Sequence, residues 1–118
     1  DNLTMSRFRS QFRRMGAAAL LAQFGEPITY YADGTGGGRP IQAMVERDVA
    51  VPSESGDQVA LAIIVRVLDS STTGISATEI DDGKDEVSLP IKEGGSAERR
   101  KVGRRMADSN GLVRFMVR

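Results

Sequence analysis

The chain has 118 residues, 40% hydrophobic and 27% charged, with 16 Lys and Arg balanced by 16 Asp and Glu. That is enough for one domain around one core. It contains no Cys and no His, which excludes disulfides, thiol and imidazole nucleophiles, histidine general bases and Cys/His zinc sites. No apolar run has the length of a membrane-spanning helix, and the longest is broken by Arg66.

The first predicted element is an amphipathic helix over residues 1–25. Thr4 or Ser6 supplies its cap, and Phe8, Phe12, Met15, Ala19 and Ala22 recur at helical spacing, with Leu20 and Phe24 widening the stripe. Arg7, Arg9, Arg13 and Arg14 occupy the flanks. The arginines before GAAALLA resemble the start of a signal peptide, but the segment runs on to a glycine stop, so it reads as mature structure. The first residue is Asp1, not Met, and processing or trimming is expected. Gly25 and Pro27 end the helix, Gly25 as a left-handed cap and Pro27 because it cannot continue a helix.

From residue 26 to 118 the period changes to two. Ile41, Ala43 and Val45 alternate with Gln42, Met44 and Glu46. In QVALAIIVRV one face is Val59, Leu61, Ile63, Val65 and Val67, and the other, from Gln58 to Arg66, is too apolar to be freely solvated. Val87, Leu89 and Ile91 form a strand in which Pro90 marks an edge or an end, and Val113, Phe115 and Val117 alternate with Arg114 and Arg118. Asp82-Gly83 and Asn110-Gly111 are turn signals, the latter joining a strand near Arg99–Met106 to the last one. Ser76 to Glu79 has capping-box spacing, and residues 52–57 read as a polar loop. The fold class expected is mainly β, a small antiparallel sandwich or barrel with an N-terminal amphipathic helix.

Three stretches suggest chemistry. Gly36-Gly37-Gly38 is followed by Arg39-Pro40 and a strand, not by the Lys-Ser/Thr pair or the helix that phosphate-binding loops require, so it reads as a hairpin tip. The acidic run from Glu79 to Glu86 lacks the spacing and flanking helices of a calcium loop. The basic run from Glu98 to Arg105 has no interleaved aromatic residue for base stacking, though phosphate contacts remain open to it. Tyr30, Tyr31 and the scattered acids form no catalytic constellation. Neither enzyme activity nor a metal site is expected.

Charge is unevenly spread. Residues 1–25 carry four bases against one acid, residues 26–91 four against twelve, and residues 92–118 eight against three, giving +3, −8 and +5. Either the signs interleave on folding, or opposite faces meet between neighbouring subunits.

The order of a basic helix, LLAQFGEPITY, a Gly-rich hairpin, IQAMVERD, QVALAIIVRVL, TGISATEIDDGKDEVSLPI and RKVGRRMADSNGLVRFMV resembles the lambda-type head–tail joining proteins of tailed bacteriophages, the tail-attachment or head-closure proteins. The helix ending in FGEPITY and the closing segments carry most of the likeness, and the insertion KEGGSAE departs from it. The resemblance implies a virion structural protein assembled as a hexameric or dodecameric ring, between portal or adaptor protein and tail-terminator or tail tube protein. DNA would pass through its channel without sequence-specific binding, and no cofactor or membrane is implied. A head-to-tail ring needs two different complementary surfaces. Arg7, Arg13, Arg14 and Arg39 are the expected basic contacts, and Glu79, Asp81, Asp82 and Asp85 the acidic ones, part of which would face the channel. The alternatives are a tail-terminator or portal-adaptor ring and, from another class, a small nucleic-acid-binding β-barrel.

Overall fold

A computed structural model of the protein describes residues 16–52, 58–106 and 111–118. Its elements are α1 (Ala17–Phe24), β1 (Glu26–Tyr31), β2 (Arg39–Pro52), β3 (Val59–Leu68), β4 (Glu86–Pro90), β5 (Ala97–Met106) and β6 (Leu112–Val117). The six strands close into one antiparallel barrel in the order β1-β2-β3-β6-β5-β4, so the expected mainly β fold is found in its barrel form.

Alternation explains the closure. Ile28 and Tyr30 of β1, Ile41 and Ala43 of β2, Val65 and Val67 of β3, and Val113, Phe115 and Val117 of β6 all point inward and are buried. Side chains fill the interior, as they must in a barrel of so few strands. β4 has neighbours on both sides, β1 and β5, so Pro90 marks the end of a strand and not an edge. The loop between β3 and β4 folds across one end of the barrel and drives Ile75, fully buried, into the core.

The helix packs on the outside of the barrel. Among its residues with a described side chain Leu21 is buried, set against Leu112 with Met44 and Leu68 alongside. Ala19 and Ala22, expected on the buried stripe, are exposed; the larger Leu21 makes the contact with the barrel. Phe8, Phe12, Met15 and the capping residues Thr4 and Ser6 lie outside the described residues. Gly25 ends α1 in extended backbone, φ −81° and ψ 164°, not in the left-handed cap. Glycine is required there for space: a Cβ would lie 2.3 Å from the Leu21 carbonyl oxygen.

The glycine run does join two paired strands, β1 and β2. Gly34, Gly36 and Gly38 all have positive φ, and at Gly38 a Cβ would also come within 2.4 Å of Thr29. Three left-handed residues in five are what bring this tip around, and β2 begins at once with Arg39.

β2 outruns the barrel. One extra residue is inserted between Glu46, which pairs with Ile64, and Val49, which pairs with Ala62. Asp48 sits in this bulge at φ 57°. A bulge of one residue reverses which alternate side chains face inward, so Val45 points into the core whereas beyond the bulge it is Ala50 and Pro52 that continue the inner face. Arg47 anchors the kink, with Nη2 2.6 Å from Glu26 Oε1 and both Nε and Nη2 donating to the Pro90 carbonyl.

Candidate functional site

Two places concentrate unusual features. The first is a polar cluster at the β1–β2 and β4 ends. Asp85 is 1% exposed, placed there because the turn through Asp82 and Gly83 ends just before β4. Its Oδ2 accepts hydrogen bonds from the Tyr30 hydroxyl and, at 2.9 Å, from the Asp81 amide, while Oδ1 accepts the Asp33 amide at 2.8 Å. A buried carboxylate with three donors is satisfied. Arg39 lies over the Tyr30 ring, 5.3 Å from its centre, and pairs with Glu79 while also donating to the Gly74 carbonyl. Glu79 in turn accepts the Ser76 amide at 2.7 Å, the reciprocal half of the capping box expected from the sequence.

Burial, and then the hydrogen bond to Asp85, push the Tyr30 phenol well above the ordinary tyrosine range. A phenol held in that way keeps its proton at neutral pH and offers no nucleophile or base. Arg39 holds the Glu79 carboxyl below the usual range. Glu86 is lowered as well, first by Lys101 and then by Arg99. The signs for stability follow. Groups lowered on folding stabilise above their unfolded value, so stability is expected to fall as pH drops below about 4.3. A group raised on folding stabilises below its unfolded value, so Tyr30 predicts a second loss as pH climbs above about 10. Urea midpoints measured across pH check both limbs; an alkaline limb that persists in Tyr30→Phe would assign it to another group.

The residues expected at a subunit contact are distributed as follows. Arg7, Arg13 and Arg14 lie outside the described residues. Arg39 and Glu79 bind each other, and Asp85 is inside the protein. Asp81 pairs with Lys84 and Asp82 with Arg118, both at half-exposed positions. The basic third of the chain reaches the acidic middle three times, through Arg99 and Lys101 on Glu86 and Arg118 on Asp82. Much of the charge segregation along the sequence is therefore neutralised within the fold. Arg99 also stacks on Tyr31, 3.8 Å from the ring centre. Arg104 and Arg105 are exposed and form no ion pair among the described residues.

The second place is the part of the β2–β3 hairpin beyond the bulge. Val49 to Pro52 pairs with Val59 to Ala62, while β1 pairs with β2 no further than Ala43 and β6 with β3 no further than Ile63. The arm is thus a two-stranded ribbon with both edges without a strand partner among the described residues. Residues paired across a ribbon share a face. Ala50, Pro52, Val59 and Leu61 make the face that continues the barrel interior, and Val49, Val51, Ala60 and Ala62 make the other. Neither carries a charge. Val59 is 71% and Leu61 70% exposed, although their alternation with Val65 and Val67 predicts core. The alternation is real, but the barrel wall stops before reaching them.

At the foot of the arm lies a cavity of about 210 Å³, lined by the apolar Leu61, Ala62, Ile63, Ile91 and Val117 together with Asp48, Arg100 and Arg118. On the outer face of β3, Ala62 and Ile64 are buried, in line with the apolar second face read from the sequence. Sequence patterning missed that β3 passes from core to open arm at Leu61; the signal was the excess length of β2 over its neighbour β1.

Among the described residues no group of acids is arranged to hold a metal ion, and no helix is long and apolar enough to cross a membrane. The chain matches no protein-family model and no curated protein.

Proposed function

We propose that this chain is a structural subunit of a bacteriophage neck, assembled as a ring that closes the DNA-filled head and offers the tail its docking surface. The protein acts through shape and complementary surfaces and uses no cofactor. One observation carries this reading: a barrel whose interior face runs out, uncharged, along an arm whose two edges have no strand partner among the described residues. Natural sheets protect open edges with charges, short strands or covers, and an isolated two-stranded ribbon is marginal in water. Such an arm is built to be covered by another chain. Support comes also from the sequence resemblance to head–tail joining proteins, and from a buried polar cluster whose groups are all engaged in holding the fold.

On this reading the head-side partner is a portal or adaptor protein and the tail-side partner a tail-terminator or tail tube protein. Reconstitution tests it. Heads and tails made without this protein should remain separate and should join when the purified chain is added, with a ring visible at the junction by electron microscopy. Separate heads and tails after addition would count against the neck role, and a ring found only on the tail or only on the portal would move it to the terminator or adaptor role.

The exposed Arg104 and Arg105 favour a second reading, a small nucleic-acid-binding barrel. Binding of that kind weakens steeply with salt. A DNA titration that shows no binding at low salt disposes of it.

A further inference from the structure

We infer that the β5–β6 surface around Arg104 and Arg105 is a contact site for the phosphate backbone of double-stranded DNA, bound without regard to sequence. This goes beyond the neck reading, which gives DNA only a passage, and rests on it for the source of the polyanion. β5 and β6 together hold six bases, Arg99, Arg100, Lys101, Arg104, Arg105 and Arg114, against one acid, Glu98. Arg99 and Lys101 are engaged by Glu86, and Arg100 by Glu98. Arg104 and Arg105 are exposed and form no ion pair among the described residues. A bulge puts both of them there. Between Val102, paired with Val117, and Arg105, paired with Phe115, β5 advances three residues while β6 advances two. In a regular half-buried strand consecutive side chains alternate between core and solvent; the extra residue lets two in a row reach solvent. Gly103 sits at the bend, where a Cβ would come 3.1 Å from the Met116 carbonyl oxygen.

The surroundings of the pair favour phosphate over a protein surface. Two adjacent guanidiniums offer planar forks that match phosphate oxygens, and duplex DNA presents a continuous row of such charges. A protein partner needs an apolar anchor near the centre of its patch. The exposed large hydrophobic side chains among the described residues are Phe24, Val59 and Leu61, on the helix and the arm, with none on β5 or β6. The one aromatic residue of these two strands, Phe115, is fully buried, which leaves no platform on them for stacking with bases. Contacts here are therefore to the backbone, and they hold DNA in place without reading its sequence. The arm and the basic strands divide the surface between them, one apolar and suited to protein, the other charged and suited to DNA.

Fluorescence anisotropy with two labelled duplexes of unrelated sequence tests the site, over a range of NaCl and beside polyglutamate as an acidic polypeptide. Arg104→Gln with Arg105→Gln is compared with Lys84→Gln with Lys92→Gln, which removes the same charge from exposed positions elsewhere. Urea midpoints of both should match the parent, since all four side chains are exposed. The parent should bind the two duplexes equally and polyglutamate more weakly. The slope of log affinity against log salt should fall by about two in the arginine variant and hold at the parent value in the lysine control. Equal losses in the two variants would overturn the site, because net charge alone would then account for binding. Polyglutamate bound as tightly as DNA would overturn DNA as the occupant in favour of an acidic protein. No binding of either duplex by the parent at low salt would overturn the proposal. Joining of heads to tails by the same proteins judges the neck reading separately. Weakened DNA binding with normal joining supports both. Weakened DNA binding in a chain whose parent joins nothing keeps the site and removes the neck. Failed joining with unchanged DNA binding makes the two arginines a protein contact and overturns the site.

Discussion

Replacing Asp85 with alanine is expected to lower folding stability by about 3–5 kcal/mol, a large share of the 5–15 kcal/mol typical of a whole domain. The reason is the number of donors that lose their acceptor together. The Tyr30 hydroxyl, 1% exposed with its ring, and the amides of Asp33 and Asp81 all end on this carboxylate. Removing the acceptor leaves the buried Tyr30 hydroxyl desolvated and unpaired, which costs about 1–3 kcal/mol, and the two part-buried amides add a smaller amount each. Tyr30→Phe should be milder, at about 1–2 kcal/mol, because the carboxylate keeps its two amide donors. Urea unfolding should show both as a lower midpoint with an unchanged slope. If Asp85→Ala lies within about 1 kcal/mol of the parent, the carboxylate is not what pins the β1–β2 turn and the loop before β4.

Asp85 shows where sequence reasoning reaches its limit. In the run from Glu79 to Glu86 it is one acid among several, and composition places all of them at the surface. Only the closure of β4 against β1 puts Tyr30 in reach, 55 residues away along the chain. The neighbours of Asp85 show the same in reverse: Asp81 and Asp82 remain half exposed because the turn points them outward. The strand faces, by contrast, were legible, since alternation in a half-buried strand is a local property. Ile41 and Ala43, Val87 and Leu89, and Val113, Phe115 and Val117 all lie inward as their spacing predicts. The capping box at Ser76 was legible for the same reason, as both partners lie within one turn. Alternation failed at Val59 and Leu61, where it correctly gave the side and missed the absence of a wall. Whether a strand has neighbours is a property of the other strands. The Gly25 stop was right in place and different in mechanism, because the steric demand comes from the Leu21 carbonyl and not from the sign of φ.

That missing wall sets the second large effect. Val59→Asp combined with Leu61→Asp should leave the monomer folded and abolish assembly. Both side chains are about 70% exposed in the single chain, and substitutions at such positions change folding stability by about 0.5 kcal/mol or less. In an assembled ring each would be covered, and covering a branched aliphatic side chain is worth about 1.5–3 kcal/mol. Losing two of them removes about 3–6 kcal/mol per interface, which is roughly two to four decades in the association constant at 1.4 kcal/mol per decade. Desolvating the new carboxylates at an interface adds to the loss. Every subunit in a closed ring uses the contact, so the deficit repeats around the circle and assembly should fail outright. Sedimentation of the variant with assembled heads, beside a urea curve of the free protein, separates the two effects. A variant that still assembles shows that the arm is not an interface. A variant whose midpoint drops as far as that of a core substitution shows that the arm packs within its own chain, and the uncharged ribbon would then belong to the fold and not to a partner.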